Sequence, residues 1–368
     1  MTVDLLVFLL FLLVFLSVVL VAAVTGLSWF FAWARSLRMQ KAPPARAARL
    51  RRRLKWTGAV LGALLAAAPF VIAFTLAGVA RRPPTRMFNP SGDRLLPPHP
   101  QYAQLLDRFI HDPRTDLGLE FEDVSFPAAD GSTLRGWFVP GRSGASTAIV
   151  TVHGSHVDRR EFLAHVPIFH EMGYPVLLFD CRDHGISDGD GRGFTLGVRE
   201  SQDVSSAVEF LKQSRGFTRV VAVGASMGAS SSIIAAGRDR RIDGVIAEAP
   251  FADIEEQVAY TASSFLRFPA WMAALTAKAM AWRIGARSIR GPLEAVAEIS
   301  PRPILLMHGT DDSTVPFHAS QQLFNRAREP KFLWLAPGAG HATKIFKAHP
   351  KEYQRRIQSF LSQFFRMH

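Results

Sequence analysis

The sequence predicts an α/β fold, a mainly parallel sheet flanked by helices, preceded by two transmembrane helices. Three observations carry this. From Phe121 onward, short apolar runs alternate with amphipathic segments, the pattern of strand–helix units in a parallel sheet. Two long apolar runs, at 5–26 and 57–80, stand before that region and flank a basic stretch. A glycine-framed serine, Gly224-Ala225-Ser226-Met227-Gly228, lies between a strand-like run and a helical one.

The run from Leu5 to about Gly26 is long enough to cross ~30 Å of hydrocarbon as a helix. No positive n-region precedes it, so it does not read as a signal peptide. Trp29, Phe30, Phe31 and Trp33 follow where an interfacial aromatic belt belongs. The second run, Thr57–Ala80, contains Pro69, which a membrane helix tolerates as a kink. Between them, 35–56 carries nine cations and no acid. Asp4 is the one acid before position 81, so the first 80 residues hold +8 of the chain's +12 and the rest only +4. That remainder is too weakly basic for a nucleic-acid partner. The basic loop predicts a hairpin with 35–56 in the cytoplasm and the catalytic domain on the other side. Cys181 is alone, which excludes an internal disulfide and a cysteine metal site. No metal or cofactor motif is present.

Residues 81–118, with Pro-Pro at 83–84 and 97–98, read as a linker with one short helix around 101–111. The domain 119–368 opens with a hairpin, 121–126 and 133–138, turning at Asp130-Gly131. Strands follow at 148–152, 175–179, 220–223, 244–247, 304–307 and 331–335. Each stops at glycine, proline or a charged residue. Ligands of open α/β sheets collect at such carboxyl ends.

Ser226 is the candidate nucleophile. A sharp strand-to-helix turn exposes a serine only if small neighbours remove the clashes, and the helix (227–237) then aims backbone N–H groups at a developing oxyanion. A serine nucleophile needs a base oriented by an acid, and after such an elbow they come in the order acid, then histidine. Asp311 and Asp312 follow the strand 304–307. His341, in Gly338-Ala339-Gly340-His341, follows the strand 331–335. His349 and His368 lie away from any strand end. Glu248, closing the strand 244–247, is an alternative acid or a packing residue.

Val152-His153-Gly154-Ser155, the stretch Asp180–Gly189, the elbow, His308-Gly309-Thr310-Asp311-Asp312-Ser313-Thr314-Val315-Pro316 and Gly340-His341 fall in one order. Together they resemble the α/β-hydrolase superfamily, in its branch of membrane-tethered serine hydrolases, over about 120–368. The resemblance implies that Asp312 rather than Asp311 is the acid, and that the backbone N–H groups of Met227 and Ser155 form the oxyanion hole. The chain departs from many relatives in carrying Ser155-His156-Val157-Asp158 where a glycine-rich stretch is usual. Asp180–Gly189 reads as a structural turn braced by Asp180, Arg182 and His184.

Residues 251–300 exceed what a loop and helix need. Phe265, Phe268, Trp271, Met272, Met280 and Trp282 predict either a buried helix pair or a lid lining an acyl pocket. The expected function is hydrolysis of a carboxylic ester or thioester of a lipid, acylated or small apolar substrate. An amidase or peptidase on the same triad, and a catalytically silent membrane-tethered binding protein, are the alternatives.

Overall fold

A computed structural model describes residues 112–366, residue 266 apart, with the helical residues Arg52, Lys55, Trp56, Gly58 and Ala59. The chain divides into two compact units, Met1–Val79 and Ala80–His368. The first apolar run, nearly all of the second, and the linker up to 111 with its expected helix lie outside the described residues. Among the described residues no helix is long and apolar enough to cross a membrane.

The last residues of the expected linker already belong to the folded body. Asp112 caps the helix α1 (Pro113–Leu117) by accepting from Thr115 N, and Gly118 ends it at φ 67°. Leu117 and Leu119 then pack against the core.

Eight strands form one sheet: β1 (Glu122–Pro127), β2 (Thr133–Val139), β3 (Thr147–Val152), β4 (Val176–Phe179), β5 (Arg219–Ala225), β6 (Gly244–Glu248), β7 (Ile304–Gly309) and β8 (Lys331–Ala336). Their order is β1-β2-β4-β3-β5-β6-β7-β8. The β1–β2 and β2–β4 pairs are antiparallel and the others parallel. This is the α/β-hydrolase fold. Position in the sheet explains the sequence pattern. Strands β3 and β7 are covered on both faces and buried at every residue, whereas the edge strands β1 and β8 alternate.

The chain leaves β3 for β4 on one side and returns to β5 on the other. That reversal opens a crevice at the carboxyl ends of β3 and β5, where ligands of such sheets bind. The helix α2 (Val166–Glu171) and the amphipathic α10 (Pro350–Phe364) join the core on this sheet. Helix α10 buries Tyr353, Ile357, Phe360 and Leu361, each stabilising by roughly 1.5–3 kcal/mol at most. The helix α4 (Met227–Arg238), expected over 227–237, follows β5 directly.

The turn Asp180–Gly189 is built around carboxylates. Asp180 accepts from Arg159 N and Ile186 N, at 2.8 and 3.0 Å. Asp183 accepts from the backbone of Gly191 and Gly193. The buried guanidinium of Arg182 pairs with Asp203 and Asp130, and His184 links Arg182 O to Ser155 O. A side chain at Gly185 would strike Asp180, and one at Gly189 would strike Asp183.

The insertion 251–300 holds α5 (Ile254–Ser264) and α6 (Ala270–Ile284), which pack on each other. Asp253 caps α5 and Gly285, at φ 71°, ends α6. A short helix α7 (Pro292–Ala295) leads back to β7.

Candidate active site

Ser226 has φ 53° and ψ −118°, a region that L-residues avoid. Contacts on both sides hold it there. A Cβ on Gly224 would come 2.3 Å from Gly228 O, and one on Gly228 would come 2.0 Å from Val152 O. Only glycine lets α4 start this close to the end of β3. Ser226 N–H donates to Glu248 O at 2.8 Å, tying the turn to β6. Ser226 caps no amide with its side chain, so the hydroxyl is not spent there. The first amides of α4 have no intrahelical acceptor, and Met227 N–H is one of them.

The segment after β3 lies against the serine, since a Cβ on Gly154 would sit 3.6 Å from Ser226 Cβ. It is held by three side chains. Gly154 N–H donates to Glu161 Oε2 at 2.7 Å. Burial, with the neighbouring His184, pushes His153 down to about 4. Its neutral ring accepts Cys181 N–H on Nε2 and donates from Nδ1 to Gly154 O, 2.7 Å away. His184 Nε2 lies 2.9 Å from Ser155 O. The Gly154 amide is therefore occupied, and Ser155 N–H is the next donor along the strand end.

His341 Nδ1–H donates to Asp312 Oδ2 at 2.7 Å. His308 Nε2 lies 2.9 Å from Val315 O and 3.2 Å from the same carboxylate oxygen. A carbonyl only accepts, so Nε2 carries the proton and Nδ1 accepts from Ser320 Oγ at 2.7 Å. Thr314 N–H and Val315 N–H donate to Asp312 Oδ1. Burial pushes the Asp312 carboxyl up, but the His308 and His341 hydrogen bonds outweigh it and hold the group well below the usual carboxylate range. It stays ionised, leaving His341 Nε2 as the ring's acceptor. Asp311 is exposed and takes a hydrogen bond from Thr310 instead. The loop bearing His341 folds back over β7: a Cβ on Gly309 would lie 2.2 Å from Ala339 O, and Asp311 N–H donates to that oxygen.

The apolar residues of the insertion divide. Met280 is buried, Phe268 and Met272 are half-buried, and Phe265, Trp271 and Trp282 face solvent. Among the described residues no cluster of metal-ligating side chains is assembled.

Two buried carboxyls beside Ser226 do not stand out in the sequence as a pair. Glu248 takes a hydrogen bond from Tyr353 Oη through Oε1, while its Oε2 has no partner. Burial raises it from 4.5 to about 8, with Glu161 adding to the rise. Burial likewise raises Glu161 to about 8, against the Gly154 hydrogen bond. Glu248 is thus a packed, neutral acid and not the partner of His341. Neither Glu161, which shares its stretch with Asp158, nor Tyr353 carries a signal that sets it apart.

Because each folded value exceeds the ordinary 4.5, the folded chain binds more protons than the unfolded one from about pH 4.5 to about 8. Their contribution is most favourable below that window and falls as pH rises through it. Glu248→Gln removes one of the two titrations. The expected outcome is a shallower loss of stability between about pH 5 and 8, read from denaturation midpoints of both proteins. An unchanged slope would mean that Glu248 is ionised in the fold.

Residues 161–368 match the prolyl oligopeptidase family of serine peptidases. The chain is similar to the Bacillus subtilis protein YqkD, 29% identical over 66% of this chain and 80% of that one. It is also similar to the polyketide transferase ATR5 of Stachybotrys chlorohalonatus, 27% identical over 65% of this chain and 96% of that one. Among solved structures it is similar to the Pyrococcus furiosus esterase Pf2001, with a TM-score of 0.57, 25% identity, and coverage of 68% of this chain and 94% of that one. A glycine-framed serine in a strained strand-to-helix turn and an acid–histidine pair beyond the next strands fit these matches: the chain belongs to the prolyl oligopeptidase family, serine hydrolases of the α/β-hydrolase superfamily.

Proposed function

We propose that the protein is a membrane-anchored hydrolase that cleaves a carboxylic ester or thioester of a lipid, acylated or small apolar substrate through an acyl-enzyme on Ser226. The observation that carries this is the pairing of His341 with ionised Asp312 after β8 and β7, on the same edge of the sheet as strained Ser226 after β5. Ser226 Oγ attacks the substrate carbonyl while His341 Nε2 takes its proton. Asp312 keeps Nδ1 protonated and steadies the imidazolium. The oxyanion meets the N–H groups of Met227 and Ser155. His341 then protonates the leaving alcohol or thiol, and water, deprotonated by the same ring, releases the acyl group. Likeness to an esterase and to a polyketide transferase supports acyl chemistry on esters. The membership of a peptidase family supports a second reading, amide or peptide hydrolysis on the same three residues. Parallel assays on p-nitrophenyl acyl esters and peptidyl p-nitroanilides separate the two. The lipid-like substrate and the anchoring are supported by the apolar runs 5–26 and 57–80 and by the apolar insertion.

Ser226→Ala is expected to lower turnover by roughly 10⁴–10⁶-fold and to abolish fluorophosphonate labelling, with the fold retained. Labelling that persists in the variant would sink the serine mechanism, and a wild type that never labels would favour a silent binding protein.

Asp312→Asn should cost about 10⁴-fold in turnover, because an amide presents the wrong partner to the His341 N–H. Asp311→Asn should stay within a few-fold, since Asp311 touches solvent and Thr310. Reversed ranks in kcat would reassign the acid.

The nine cations of 35–56 are expected to hold that loop in the cytoplasm and the catalytic domain across the bilayer. A compartment-specific reporter fused after His368 reads the orientation. Reporter activity in the cytoplasm would overturn it and leave the hydrolase chemistry standing.

A further inference from the structure

Helix α6 packs one side on the domain and leaves a line of residues outside. Ala273, Ala277, Met280 and Ile284 are buried, whereas Trp271, Ala274, Lys278 and Trp282 are exposed. The exposed four stand at i, i+3, i+7 and i+11, one face of a helix. The two indoles, 61% and 68% exposed, lie about 16 Å apart along the axis with the lysine between them. Phe265, 56% exposed, precedes the helix. Side chains of this size are usually withdrawn from water, and here three of them are exposed within eighteen residues.

Charge on this segment has one sign. From 265 to 290 the sequence holds Arg267, Lys278, Arg283, Arg287 and Arg290 and no acid, and all five are exposed. Arg287 pairs with Glu255 and Arg290 with Glu298, both from outside the stretch. Among the described residues no acid pairs with Arg267 or Lys278.

We infer that the outer face of α6 is a docking surface for an anionic lipid bilayer. Indoles settle at the membrane–water interface, with an apolar body and a polar N–H. Lysine and arginine lay their stems along the apolar layer and reach anionic headgroups with their charge. A helix with this face lies flat in the interface. A second copy of the chain fits less well, because a two-fold contact through the same patch sets cation against cation. The inference rests on the membrane-anchored reading for its proximity. Residues 81–111 can extend at most about 110 Å, so an anchored domain keeps this face at high effective concentration near lipid.

The test uses the full chain carrying Ala274→Cys, labelled with an environment-sensitive dye; Cys181 is buried and stays unlabelled. Gln322→Cys, exposed on α8 (His318–Arg326), is the control position. Both are reconstituted in vesicles containing nitroxide-bearing lipid, either phosphatidylcholine with phosphatidylglycerol or phosphatidylcholine alone. The expected result is quenching at 274 and not at 322, stronger with phosphatidylglycerol. Combining Trp271→Ala with Trp282→Ala should reduce quenching at 274 about tenfold, and Lys278→Glu should remove the phosphatidylglycerol dependence. A chain that resists alkaline carbonate extraction yet shows no quenching at 274 overturns the docking surface and leaves the anchor. A chain that carbonate strips off, but whose 274 label is quenched when vesicles are present, overturns the anchor and leaves the docking surface. A signal that follows protein concentration rather than lipid identifies a second copy as the occupant and overturns the inference.

Discussion

The site depends on how closely the turn after β5 is pressed against the end of β3. Gly228 sits where any Cβ would overlap Val152 O, and Gly224 where one would overlap Gly228 O. This closeness forces Ser226 to a positive φ and brings it beside Gly154. It also starts α4 at Met227, whose leading amides have no intrahelical acceptor. Ala249 and Ala342, each next to a residue of the site, also have positive φ. Such conformations cost on the order of 1–3 kcal/mol each. They persist because β5 is buried from Val220 to Ala225 and its register is set by parallel ladders on both sides.

Buried carboxyls near Ser226 are of two kinds, and the number of donors around each separates them. Asp312 receives hydrogen bonds from two imidazoles and two backbone amides, and remains an anion although it is buried. Glu248 receives one, from Tyr353, and Glu161 one, from Gly154. One donor does not offset the loss of hydration, so both carboxyls are pushed up instead. Two neutral acids close to the serine add no negative charge where an oxyanion forms. The Asp312 anion stands behind the histidine, where it favours an imidazolium.

The segment after β3, proposed to meet the oxyanion, shows the same logic in its backbone. His153, His184 and Glu161 each take one polar group of Gly154 or Ser155. The family resemblance leads one to expect a glycine-rich strand end, and this chain has Ser155-His156 there. Side-chain hydrogen bonds fix the segment in place of the tight glycine turn. The cost is a set of buried histidines, of which His153 must remain neutral to make its two bonds.

Much of the fold is legible in the sequence because it rests on local rules. The six parallel strands appear as short apolar runs ended by glycine, proline or a polar residue, since both faces of each central strand are covered. The elbow is readable because only glycine tolerates the approach, and His341 because small residues precede it. The order of elements suffices to put Ser226, an acid and His341 after the carboxyl ends of parallel strands, on one edge of the sheet. What the sequence leaves open is decided by packing between distant segments. Asp311 and Asp312 are adjacent and chemically alike; the family resemblance favours Asp312, and the physical difference between them arises when the loop after β8 folds over Gly309 and His308 and His341 both close on the Asp312 carboxylate. Glu161, Glu248 and Tyr353 are brought together from three distant segments, the turn after β3, the end of β6 and α10. The same holds for the insertion: six large apolar residues read alike in the sequence, and the packing of α6 on α5 turns Met280 inward and both tryptophans out to solvent. Local periodicity determines which residues share a face, but only the tertiary contacts determine which face is covered.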